Sequence, residues 1–451
     1  MLKELYALAL PMVVGQLAFS SMSFIDTVLM GQLGVEVLAG GGLGAVVFQF
    51  FYVVGIGVLV ATANLIAFAK GQDKHDEIQK ALLSGVVVVV LLFVFFAALM
   101  WQVKAVLLFL GQAPEVVAVS ETYLHIVVWS LLPALAFILL RSLVLGLGDP
   151  SAILPISVLA ALLNYPVSYS LMMGLFGLPP MGVQGVALGT CIVSFGMVIG
   201  LAWLTYRKPE FKSYPFWTQW HLFSFSQLKE TLRLGVPIAV AHAMEIGMFS
   251  AAALLIGMVG VEALAAHQVA LQCATISFMI PLGLSQAVSV KVGEYYGARR
   301  FDDIRRAVKL GLGLATMSAS AAACMFWFAP EWLVSLFIDQ ESGSGSGDGG
   351  LAAILPLAVS ILFVAALFQL VDSWQVVLMG VLRGFKLGTS PTVVAMVSYW
   401  FIGFPCAYFL LGEYGAVGVW IGMGIGLGSS ALMLAGLYLK TIRVGTVLTA
   451  S

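Results

Sequence analysis

The stretch Gly31–Ala39, GQLGVEVLA, returns 226 positions later as Gly257–Ala265, GMVGVEALA, and this pairing decides how the chain is read. The same offset holds without a gap well beyond it. It pairs Pro11 with Pro237, Gly57 with Gly283, Gly71 with Gly297, Asp76 with Asp302, Ala81 with Ala307 and Gly85 with Gly311. A 451-residue chain that repeats in this way consists of two related halves.

The sequence on either side of the repeat is apolar. Hydrophobic residues make up 61% of the chain and charged residues 10%, against about 45–50% and about 25% in soluble domains. This is an integral membrane protein. A membrane helix needs roughly 20 apolar residues, and twelve runs of that kind, six per half, extend from Leu5–Met30 to Pro391–Leu411 and Val417–Leu439. The runs are continuously apolar, whereas barrel strands alternate over about ten residues. The expected fold is therefore an all-α integral membrane protein with twelve transmembrane helices in two six-helix lobes. Because six is even, both halves enter from the same side, which gives pseudo-two-fold symmetry along the membrane normal and a natural binding cleft between lobes. Residues 1–206 form the amino-terminal lobe and 231–451 the carboxyl-terminal lobe, joined by the polar, aromatic and basic connection 207–230.

The net charge of −1 carries no basic excess for nucleic acid. The distribution is uneven, however. Of 21 Lys and Arg residues, all but Lys104 fall on the amino terminus, the even-numbered connections or the carboxyl tail. The positive-inside rule makes both termini cytoplasmic. Met1–Glu4 leads directly into the first span without a cleavable signal peptide. Cys191, Cys273, Cys324 and Cys406 lie in apolar runs and read as packing residues. Gln340–Gly350, QESGSGSGDGG, has the composition of a flexible external linker. With no nucleophile motif, metal triad or nucleotide loop, the chain does not read as an enzyme. With no filter or ring of like residues, it does not read as a channel.

Three carboxylates lie well inside apolar runs: Asp26, Glu245 and Asp372. An ionised carboxylate there costs about 2.5–3.5 kcal/mol on insertion scales, so such groups are either satisfied by neighbouring helices or face a cavity and serve a function. A carboxyl drawn out of water can take up a proton or hold a cation and release it when the cavity opens elsewhere, which is the chemistry of ion coupling. Near Asp26, the amino half offers Asn164, Ser168 and Thr190 as neutral oxygen ligands for Na+ or partners for a proton. In the carboxyl half, His242 lies one turn from Glu245, and Gln369 and Gln375 lie one turn either side of Asp372. His242 reads equally as a proton partner and as a hydrogen-bonded packing residue. Pro11 and Pro237 each bend the first helix of a half, as a fixed kink or as a hinge.

Two six-span halves, Pro11 followed by Gln16, Asp26-Thr-Val-Leu-Met-Gly31, Asn164-Tyr-Pro166, Glu245, and Arg383-Gly384 after Asp372 together resemble the multidrug and toxic compound extrusion (MATE) family, in particular its bacterial NorM branch. The resemblance covers nearly the whole chain. It implies a multi-pass protein of the bacterial inner membrane that exports organic cations and amphipathic drugs in exchange for H+ and/or Na+, with two lobes rocking between outward-open and inward-open states. It implies a carboxyl-lobe cation site at Glu245 and Asp372 and an amino-lobe site at Asp26 with Asn164 and Thr190. Ser168 departs from the acid or amide often found at its position, which leaves protons more open than Na+ in that lobe. No resident cofactor is expected. The expected partners are small cationic drugs and membrane lipid, and the chain is expected to act as a monomer. A flippase for lipid-linked saccharides is the alternative. An anionic pyrophosphate calls for buried basic residues, whereas Arg141, Lys291 and Arg383 fall near cytoplasmic helix ends.

Overall fold

The protein is described here as a computed structural model covering residues 2–109, 111–177, 179–215, 217–336 and 350–450. The linker residues 340–349 lie outside the described residues. The long elements are helices: α1 (Leu2–Gln32), α2 (Val35–Gly71), α3 (His75–Trp101), α4 (Pro114–Gly146), α5 (Ile153–Met173), α6 (Val183–Arg207), α7 (Phe225–Gly257), α8 (Val261–Gly297), α9 (Phe301–Phe328) and α10 (Gly350–Gly384). Among the described residues there is no strand. In hydrocarbon the backbone must satisfy its own hydrogen bonds, and these continuous apolar runs do so by coiling.

The last helical run poses a length problem. A straight helix over the 56 residues Thr389–Val444 would be about 84 Å long, against a hydrocarbon core of about 30 Å. The chain reverses at Gly415, whose φ of 56° and ψ of −137° are not helical. On either side Gly418 meets Leu410, Gly422 meets Ala407 and Gly426 meets Gly403, partners that step apart in register as in an antiparallel hairpin. A Cβ at Gly422 would run into the Ala407 backbone, so this glycine-rich run is helix packing through small residues. The arms are α11 (389–414) and α12 (416–450), and the twelve-span fold stands.

The repeat is also written in the turns. Gly34 (φ 117°) and Gly260 (φ 156°) occupy the same position in the two halves, as do Asp73 and Arg299, both at φ 57°. Helices α2 and α8 have equal lengths of 37 residues. Val103–Phe109 and Pro330–Ser335 are matching short helices after α3 and α9.

The chain forms two compact units, one of residues 10–239 and the other of residues 2–9 with 240–450. This division differs from one at the connection 207–230. The first turns of α7 belong to the amino unit and the first turns of α1 to the carboxyl unit, and each change of unit falls beside Pro237 or Pro11. In the amino unit Gly235 crosses the Val58 backbone and Gly57 crosses Ala239, contacts open only to glycine. In the carboxyl unit Lys291 pairs with Glu4 at 3.4 Å. The connection 207–230 is itself docked on the amino unit. Phe211 and Tyr214 are buried, Gln79 Nε2 donates to the Pro215 carbonyl at 2.8 Å, and Tyr214 is hydrogen-bonded to His75.

Candidate functional site

In the amino unit, Asp26 sits near the end of α1 and is 5% exposed. Asn164 on α5 donates Nδ2–H to its Oδ1 at 3.1 Å, and Thr190 on α6 donates its hydroxyl to Oδ2 at 2.7 Å. Three helices thus converge on one carboxylate. The Oδ1 of Asn164 is buried and has no protein partner. Asp26 and Thr190 face a cavity of about 50 Å³ whose wall includes Gln49, Tyr52, Tyr123 and Met197. A space of this kind holds an ion together with water. Ser168 lies one turn from Asn164, fully buried under Gly189 and outside the cavity lining.

In the carboxyl unit, Glu245 on α7 and Asp372 on α10 line one cavity of about 340 Å³ with Phe249, Phe278, Phe368, Gln268 and Thr275. Small-molecule pockets run from about 300 to 1,000 Å³, so this one has room for an organic cation against aromatic faces. Asp372 is 4% exposed and its Oδ1 has no hydrogen-bond partner. His242 Nδ1 stands 3.7 Å from Glu245 Oε2, too long for a hydrogen bond but close enough to pair when the ring is protonated.

Gln369 and Gln375 turn elsewhere. Gln369 Nε2 donates to the Ala274 carbonyl at 2.7 Å and to Ser277, tying α10 to α8. Gln375 Nε2 donates to Tyr399 Oη at 2.6 Å, tying α10 to α11. Tyr399 lies in a π-helical turn, Val397–Gly403. The cavity walls, Tyr52, Tyr123, Phe249, Phe278 and Phe368, escaped the sequence reading because nothing distinguishes them there from lipid-facing aromatics. Among the described residues no group of three or more His, Cys, Asp or Glu gathers as a metal cluster. A cation here would be held by carboxylate together with amide and hydroxyl oxygens. Cys191 and Cys273 are buried, Cys406 is half-buried and Cys324 is exposed.

A duplicated six-helix plan with carboxylate-lined cavities inside the spans defines a membrane transporter built from a parallel repeat. The MatE family model matches residues 11–170 and 237–409, one stretch in each half, and the chain belongs to that family. It is 38% identical over 436 residues to a Pseudomonas putida protein named "Probable multidrug resistance protein NorM", covering 96% of this chain and 93% of that one. It is 37% identical over 453 residues to the Pseudomonas aeruginosa protein of the same name, covering 100% and 92%. The solved structure of a MATE protein in a bent conformation superposes with a TM-score of 0.89 at 19% identity, covering 100% of this chain and 97% of that one, a likeness of fold.

Proposed function

We propose that this protein is a multidrug efflux antiporter that exports organic cations and amphipathic drugs in exchange for H+ and/or Na+ by alternating access. The observation that carries this reading is the 340 Å³ carboxyl-unit cavity, in which Glu245 and Asp372 stand among aromatic rings. A carboxylate pair attracts a cation, the rings accept flat apolar groups, and protonation or Na+ binding at the same carboxylates removes the charge that holds the drug. The Pseudomonas relatives are named as probable multidrug resistance proteins, which supports a drug substrate. In the amino unit, Asp26, Asn164 and Thr190 form a second cation position. One pH unit supplies about 1.4 kcal/mol per proton and 100 mV about 2.3 kcal/mol per charge, so a single coupled ion sustains a substantial drug gradient.

In this reading the protein works as a monomer in the bacterial inner membrane, with both termini cytoplasmic. The test is reconstitution in liposomes with an imposed pH or Na+ gradient, following efflux of a fluorescent cation. The wild type should transport under at least one gradient, and Glu245→Gln and Asp372→Asn should abolish export while remaining folded in the membrane. Transport by both variants at the wild-type rate would overturn the proposal. A saccharide-lipid flippase would instead leave the fluorescent cation in place and move a labelled saccharide lipid between the leaflets.

A further inference from the structure

Two buried arginines take no part in the sites described above. Arg141 on α4 and Arg383 on α10 are each 7% exposed, and a guanidinium does not lose its proton inside a protein. Each lies near the carboxyl end of its helix, the cytoplasmic end in the proposed orientation.

In the carboxyl unit, Arg383 follows Asp372 by about 16 Å of α10, and side chains on a helix lean back toward its amino terminus, here toward the cavity. Between them, Gln375 holds the fully buried Tyr399 through its 2.6 Å hydrogen bond. The separation of Arg383 from Asp372 is about three full turns, so both stand on one face of α10. Asp372 Oδ1 and Gln375 Oε1 are buried acceptors without partners. Both stand on the stretch of α10 between the cavity and Arg383.

The amino unit repeats the arrangement with different parts. Tyr52, 5% exposed, is a wall of the Asp26 cavity, and Arg141 follows two further wall residues, Ala134 and Phe137, by about two turns and one turn of α4. Tyr52 is on α2 and Tyr399 on α11, whereas both arginines lie on the fourth helix of their half. A fixed positive charge in a medium of low dielectric repels any cation that approaches it, whether Na+ or hydronium.

We propose that Arg141 and Arg383 are electrostatic plugs that close the cytoplasmic foot of each cation cavity, so that a bound ion leaves only when the transporter changes conformation. The inference rests on the cation-antiport reading and adds what keeps that antiport coupled. Arg383→Gln, Arg383→Lys and Arg141→Gln, with the wild type, would be reconstituted in liposomes without drug, and 22Na+ entry and internal acidification followed down imposed gradients. The glutamine variants should raise drug-free flux by about tenfold or more, and Arg383→Lys, which keeps the charge, should stay tight. If folded glutamine variants leak no more than the wild type, or if Arg383→Lys leaks as much as Arg383→Gln, the plug is refuted. The two units provide independent tests should one variant fail to fold. Failure of the antiport reading shows separately, as a wild type that moves no drug under either gradient.

Discussion

Thr190 on α6 donates its hydroxyl to Asp26 on α1 across 2.7 Å, and this bond draws the last helix of the amino unit onto the acid of the first. Hydrogen bonds to a charged group are worth about 1.5–3 kcal/mol. Thr190→Val, which keeps shape and removes a hydroxyl oxygen that can turn to the ion, should weaken Na+ binding in the amino unit about tenfold or more. Isothermal titration with Na+, on a Glu245→Gln background that silences the other unit, measures the change. Unaltered affinity would mean that Asp26 binds without its hydroxyl partner.

Gln369 gives a contrasting expectation. Its amide bridges α10 to α8 through Ala274 and Ser277 rather than reaching the cavity. Gln369→Leu removes both bonds that tie α10 to α8, each worth about 0.5–1.5 kcal/mol, while the Ala274 carbonyl keeps the Ser277 hydroxyl at 2.9 Å. Thermal unfolding in detergent should therefore fall by several degrees while drug binding at Glu245 and Asp372 is retained. A variant of wild-type stability that no longer binds drug would place Gln369 in the site.

The α11–α12 hairpin depends on backbone contact at Gly422. Gly422→Ala puts a methyl group against the Ala407 backbone, and overpacking of this kind costs about 1–3 kcal/mol. Gly415→Ala adds strain of about 1–2 kcal/mol at its positive φ. Both variants should show lower melting temperatures, and the double variant should lose the monodisperse species on size-exclusion chromatography.

Asp149, in the turn between α4 and α5, gives the pH dependence. Burial alone would raise its carboxyl, but hydrogen bonds from Lys208 and Ser151 outweigh burial and hold it below the usual carboxylate range. A lowered folded value means that the contribution is complete above the unfolded value of about 3.9 and is lost as pH falls through the folded one. Melting temperatures should therefore drop as pH falls below about 4, by more in the wild type than in Asp149→Asn. Equal slopes would show that the Lys208 pair contributes nothing.

The hairpin at Gly415 and the division of units show where sequence patterns stop. Twelve spans were legible because hydrocarbon thickness acts on length and composition alone, and the break between Leu411 and Val417 was visible even though helical geometry runs almost continuously through it. The connection 207–230 is the longest polar interruption, yet the units divide inside α1 and α7 beside Pro11 and Pro237. That division follows from which helices the first turns pack against, a matter of tertiary contact.

The amino-acid sequence alone determined the duplicated twelve-helix plan and the three acids in the spans, because repeats, span length and isolated charges are local properties of the chain. Tertiary structure alone decided which neighbours those acids have. Asn164 and Thr190 reach Asp26, whereas Ser168, Gln369 and Gln375 point into packing. A helix that is apolar on every side carries no periodic mark of its rotation. Which of its faces meets a cavity is settled only when six such helices close around one.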